Sequence, residues 1–157
     1  MISGKVSKEN RDRISKLQDM YANCSVKLID MKDQFSDAYI ISDYITRATY
    51  YILHLPSILS EHDKILYLDG DVIVRKDLWD MYNTDLQDNY IGAVKDFGQI
   101  TWRLGYAKNY EQRLGVKDTD QLLNAGVLTM NLQKMREDNL EKTFNEYIST
   151  LKKESYF

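Results

Sequence analysis

Two aspartates one residue apart, Asp69 and Asp71, stand between the apolar run Lys64–Leu68 ("KILYL") and Val72-Ile73-Val74. Carboxylates set in hydrophobic sequence are costly to leave unpaired near a core. A divalent cation would offset both that cost and their mutual repulsion. Hard Mg²⁺ or Mn²⁺ suits carboxylate oxygens, and phosphate oxygens in turn. The spacing alone is uninformative. With 17 Asp in 157 residues, about two Asp-x-Asp pairs arise by chance, and two occur. Context separates them. Asp118-Thr119-Asp120 follows Gly115 in polar sequence and reads as a solvated loop. Asp69 ends an apolar strand-like run, and ligands of α/β sheets gather at the carboxyl ends of strands. Gly70 between the carboxylates lets backbone approach a ligand closely. The competing reading is a tight turn bearing two exposed aspartates.

Other site patterns fail. An EF-hand loop starting at Asp69 needs Gly at its sixth position, where Val74 stands. The Gly-x4-Gly-Lys-Ser/Thr phosphate loop is absent. A haloacid-dehalogenase-type phosphatase would also set Asp-x-Asp after an apolar strand, but it usually continues Gly-Thr rather than Val72-Ile73. His54 and His62 flank Pro56 without the partner spacing of a zinc site. Surface or helix-end roles suit them.

The elements that must position the pair read as an α/β alternation. Ser7 caps a helix with Ile14, Leu17, Tyr21 and Cys24 on one face. A short strand follows at Val26–Ile29. A second helix is expected from about Ser42 to Leu55, with Ile41, Ile45, Ala48, Ile52 and Leu55 as its buried stripe. Pro56 should stop or kink it. The strand Lys64–Leu68 is interrupted by Asp69-Gly70-Asp71 and resumes at Val72–Val74. A short helix at Asp77–Asn83, strands at Tyr90–Lys95 and Gly126–Leu132, and an amphipathic helix at Leu140–Leu151 complete the order.

A length of 157 residues points to a single domain, and 43% hydrophobic residues supply a core. Disordered and low-complexity classes are excluded by that balance, with one Pro and seven Gly. No apolar run approaches the ~18 residues needed to span a bilayer, and no signal peptide precedes Ile2-Ser3-Gly4. Cys24 is the single cysteine, so an internal disulfide is impossible and a reducing cytoplasm fits. The net charge of −3 argues against general nucleic-acid binding. Its acidic excess lies wholly within residues 61–100, which carry four basic and nine acidic side chains. Such a cluster can repel, spread over a solvated surface, or hold a cation.

The stretch "DKILYLDGDVIVRKDLWDMYNTDLQDNYIGAVKD", followed by "LNAGVLTMNLQKMRE", resembles glycosyltransferase family 8. That family holds retaining sugar transferases, among them bacterial lipopolysaccharide galactosyl- and glucosyltransferases. The likeness runs from about Ser7 to the C-terminus. Its motifs occur in order: a Ser-x-Glu-Asn start, an apolar strand into Asp-x-Asp, a Leu-Trp-x-x-Tyr helix, Asn-Ala-Gly-Val, and an Asn-Leu-x-Lys-x-Arg-Glu turn. The resemblance implies a GT-A, Rossmann-like mixed sheet flanked by helices, present here in part. It implies a UDP-sugar donor with Mn²⁺ or Mg²⁺, a saccharide hydroxyl acceptor, and transfer of glucose or galactose. Asp69 and Asp71 match the family's metal pair. Asp96 matches an aspartate that contacts the donor sugar, and Asn124, Ala125 and Gly126 match the segment lining the sugar pocket. Without the resemblance, Asn124–Gly126 reads as a turn before a strand. No matching position is assigned as the catalytic group.

The departures bear on function. Ile52 stands where family members commonly carry Arg, so a charge contact is lost or comes from elsewhere, with Arg47 a candidate. Leu123 replaces an aromatic residue and Met135 a frequent Trp; both are packing changes. The resemblance further implies that residues 1–157 are the central portion of one domain. The family's first strand would precede Ser3, and its Asp-Gln-Asp segment, a metal-binding His and a diphosphate-binding Lys would follow. With two of the usual three metal ligands, the isolated chain is expected to be inactive. A non-catalytic binding or assembly remnant of the same fold is the alternative.

Overall fold

The computed structural model describes residues 2–3, 6–31, 48–96 and 122–153. They form two compact units, one of residues 1–58 with 139–157 and one of residues 59–138.

In the first unit, strand β1 (Ile2–Ser3) pairs in parallel with β2 (Ile29–Asp30). Between them lie α1 (Lys8–Ser15) and α2 (Leu17–Met20). Ser7 caps α1 as its residue type requires, its hydroxyl accepting from Asn10 N at 3.2 Å. The apolar face expected on these helices is not buried: Leu17 and Tyr21 are exposed, while Ile14 and Cys24 are half-buried. The strand expected over Val26–Ile29 is confined to Ile29–Asp30.

The helix expected from Ser42 to Leu55 is broken in its described part. It comprises α3 (Ala48–Tyr51), a 3₁₀ turn at Ile52–His54 and α4 (Leu55–Ile58). Ile41 and Ile45 lie outside the described residues. Pro56 neither stops the helix nor sits at its centre. It falls in the first turn of α4, where a missing N–H costs no hydrogen bond, and the 3₁₀ turn ahead of it takes up the kink. Of the expected stripe, Leu55 is buried and Ile52 half-buried, while Tyr51, outside it, is buried too. Helix α7 (Leu140–Lys153) meets the 3₁₀ turn, and Glu141 bonds both His54 and Ser57.

The second unit is built on a three-stranded sheet in the order β3 (Lys64–Leu68), β5 (Leu123–Asn131), β4 (Ile91–Lys95). Both outer strands run antiparallel to β5. They are therefore parallel to each other, and their carboxyl ends emerge at the same edge. Central β5 buries consecutive residues, Leu128, Thr129 and Met130, so both of its faces are covered. The Thr129 hydroxyl is satisfied by Met81 O at 3.2 Å, on helix α5 (Trp79–Asn83). Leu132 and Met135 of α6 (Leu132–Glu137) are buried, as is Leu86. The expected Asn-Leu-x-Lys-x-Arg-Glu turn is this helix. Asn131 ends β5 and caps α6 in one step, its Oδ1 accepting from Lys134 N at 3.0 Å. Arg136 then anchors α6 below β3 through Asp63 and His62 O, each at 3.0 Å.

Candidate active site

The site starts where β3 leaves the sheet. Leu68 pairs with Val127, and the ladder goes one step further, Asp69 N donating to Gly126 O at 2.8 Å. Val72 N then turns back to Asp69 O at 3.3 Å, closing a tight turn through Gly70 and Asp71. Locally the pair is therefore a tight turn that presents two exposed carboxylates at a strand's carboxyl end.

The turn also corrects the strand expected at Val72–Val74. These residues are irregular and exposed, Ile73 to 85%. The turn carries them off the sheet, and β5 has already spent its pairing on β3 up to Asp69. Among the described residues no strand lies alongside them. They instead line an open cleft of ≈ 490 Å³ with Leu68, Leu78 and Val127.

Asp69 is held on one oxygen and closely bounded at the other. Tyr67 Oη donates to Oδ1 at 2.7 Å. A Cβ placed on Gly126 would stand 2.8 Å from Oδ2 and 3.3 Å from Cγ. A side chain there would have to displace the Asp69 carboxylate, so glycine leaves that carboxylate its present place. Burial, followed by the bond to Asp69, pushes the Tyr67 phenol up to about 12, so it remains a donor across the neutral range.

Asn124, Ala125 and Gly126 lie within β5, not in a turn ahead of it. The expected start of this strand at Gly126 is three residues late. The segment is nonetheless irregular against β4. Ala93 pairs with Leu128 and Lys95 with Leu123, so residues 124–127 of β5 oppose Val94 alone. Extra residues of this kind are frequent beside functional sites, because they re-aim side chains. Asn124 Oδ1 accepts from Gly126 N at 2.9 Å and fixes that local path. Asp96 follows β4 and is half-buried, its N donating to Leu122 O at 2.9 Å. The carboxyl ends of β3 and β4 thus bring Asp69 and Asp96 to either side of the same stretch of β5. Asp69, Asp71 and Asp96 lie at the strand ends where the sequence puts them, whereas Asn124, Ala125 and Gly126 are in a strand where a turn was expected. The Tyr67 contact was missed, although the two-residue spacing of a strand face signals it.

Four of the nine acidic residues at 61–100 have local partners that do not involve the aspartate pair. Asp63 pairs with Arg136, Asp77 accepts from Trp79 N, Asp85 from Gln87 N, and Asp88 pairs with Lys134. Among the described residues no three His, Cys, Asp or Glu side chains are grouped as a metal set. Asp69 and Asp71 nevertheless fit a hard cation: both are oxygen donors, and the missing Cβ of Gly126 leaves the Asp69 carboxylate its cradle. Ile52 is half-buried in the 3₁₀ turn, His62 is exposed beside Glu61, and Leu123 is exposed at the start of β5. Arg47, Asp118 and Asp120 lie outside the described residues.

The ordered motifs match a known family along their length. The family model for glycosyl transferase family 8 covers residues 1–156. The chain belongs to glycosyltransferase family 8. A putative glycosyltransferase of Haemophilus influenzae is 29% identical over 143 residues, covering 90% of this chain and 42% of that protein. General stress protein A of Bacillus subtilis is 23% identical over 148 residues, 92% of this chain and 49% of that one. Among solved structures, galactosyltransferase LgtC in complex with donor and acceptor sugar analogues superposes with a TM-score of 0.77 at 30% identity. That match covers 99% of this chain and 54% of LgtC. The chain spans about half the length of the curated relatives it matches. As a family 8 member it has the α/β GT-A fold, and the phosphatase reading of Asp69 falls away. Among the described residues no helix is long and apolar enough to cross a membrane.

Proposed function

We propose that residues 1–157 are the central portion of a single metal-dependent, retaining glycosyltransferase domain. The reaction is transfer of a hexosyl group from a UDP-sugar to a saccharide hydroxyl. The observation that carries this reading is the seating of Asp69 against Gly126, which joins the aspartate pair and the Asn124–Gly126 segment in one place. Asp69 and Asp71 would hold Mn²⁺ or Mg²⁺. Bound there, the ion stabilises the negative charge that grows on the departing diphosphate. Asp96, Asn124, Ala125 and Gly126 would receive the donor sugar. With Oδ1 engaged by Gly126 N, Asn124 offers a sugar hydroxyl its two Nδ2 donors. Asp96 would offer carboxylate oxygens as acceptors to a sugar hydroxyl, and Ala125 and Gly126 leave room for the ring. The single cysteine and absence of an apolar span in the sequence are consistent with a cytoplasmic setting.

In the intact protein, Asp71→Ala is expected to reduce Mn²⁺-dependent sugar transfer from UDP-glucose or UDP-galactose to background. The check is a radiolabelled donor assay with and without chelator. Full activity in the variant would overturn the metal assignment.

A further inference from the structure

A metal-binding aspartate on an exposed turn has a problem of order. Its side chain samples several rotamers unless something fixes it, and each one unused by the ion weakens binding. Here the strand supplies the fixing group. Side chains two apart on a strand share a face, so Tyr67 and Asp69 point the same way across the end of β3. The Tyr67 hydroxyl reaches Asp69 Oδ1 at 2.7 Å. The other oxygen is bounded by the Gly126 backbone, where a Cβ would come within 2.8 Å. That backbone is itself held, through Gly126 N on Asn124 Oδ1 at 2.9 Å and Gly126 O on Asp69 N at 2.8 Å.

We infer that Tyr67 is a positioning residue for the metal carboxylate: its phenol sets the orientation in which Asp69 meets the cation. The inference rests on the proposed metal role of Asp69. The half-buried ring of Tyr67 serves packing, which phenylalanine would serve equally, so only the hydroxyl belongs to the site. Hydrogen-bonded partners of metal-ligating carboxylates orient their ligand, and losing one typically costs about 10–100-fold in metal affinity.

The test is titration of Mn²⁺ into the intact protein with UDP present, followed by electron paramagnetic resonance of free Mn²⁺. Wild type, Tyr67→Phe and Asp69→Ala are compared, with thermal melting of each. The expected result is a melting temperature for Tyr67→Phe within a degree or so of wild type, and a Mn²⁺ dissociation constant raised about tenfold or more. Wild-type affinity in Tyr67→Phe, with binding lost in Asp69→Ala, would overturn the positioning role and leave the metal reading standing. Absence of Mn²⁺ binding by the wild type would overturn both. If Tyr67→Phe melts early, its Mn²⁺ affinity is read well below its melting transition, where the fold is intact: weakened binding there supports the role, and wild-type affinity there overturns it.

Discussion

At Gly126 an added methyl group would stand 2.8 Å from Asp69 Oδ2, closer than real Cβ contacts come. The obstacle is a carboxylate whose other oxygen is already held by Tyr67, so it has little freedom to retreat. Gly126→Ala is therefore expected to displace Asp69 and weaken Mn²⁺ and UDP-sugar binding at least tenfold, in line with the loss of a group that orients a metal ligand. Isothermal titration calorimetry of UDP in saturating Mn²⁺ checks this, and unchanged affinity would contradict the shared seat. Much of the site was legible at this scale. Asp69 and Asp71 stood out against apolar sequence on both sides, although the structure exposes both carboxylates and Val72–Val74 with them. Asn124–Gly126 were legible only through family likeness, since Asn-Ala-Gly before a β-rich run is ordinary turn chemistry. What the residues alone did not reveal is that Gly126 faces Asp69 across a strand pair 57 positions apart in sequence, a fact of register.

Among the elements, the apolar runs that pair with β5 were read as strands within a few residues, and the run that finds no partner was misread. Lys64–Leu68 forms β3 as expected. Val72–Val74 has the same β-forming composition yet forms no strand, because pairing decides the matter and the turn at Asp69–Val72 removes the partner. The helix through Pro56 shows a local rule applied at the wrong place: a proline breaks a helix interior but suits a first turn. The passage from β5 into α6 has a clear local cause, the Asn131 cap on Lys134 N. Asn131→Ala should cost about 1 kcal/mol of stability, and Asn131→Asp should retain most of it. Urea denaturation with an unchanged slope is the check, and an unaltered midpoint for Asn131→Ala would contradict the capping role. Lys134 adds to this helix from its other side, bonding Asp88 at 2.8 Å and Asp138 at 3.0 Å. Hydrogen bonds from Lys134 and then Tyr90 hold the Asp138 carboxyl below its usual range.

For the molecule as a whole, α/β class and family were readable from the order of motifs, because each motif is tied to one strand end or helix start. The division into two compact units was not readable, since the composition shows no linker between them. The central claim is that the carboxyl end of β3, with Asp69 and Asp71, is a metal-dependent nucleotide-sugar site. Thermal unfolding of this chain with Mn²⁺, with UDP-glucose or UDP-galactose, and with metal and nucleotide sugar together tests it most directly. A ligand at a hundred times its dissociation constant stabilises by about 2.7 kcal/mol, or about 5–10 °C for a chain of this size. The account predicts a rise of that order only when metal and nucleotide sugar are both present, and none in Asp69→Ala. A cooperatively melting wild-type chain whose midpoint stays fixed under all of these conditions would contradict it and favour a binding or assembly role for the fold.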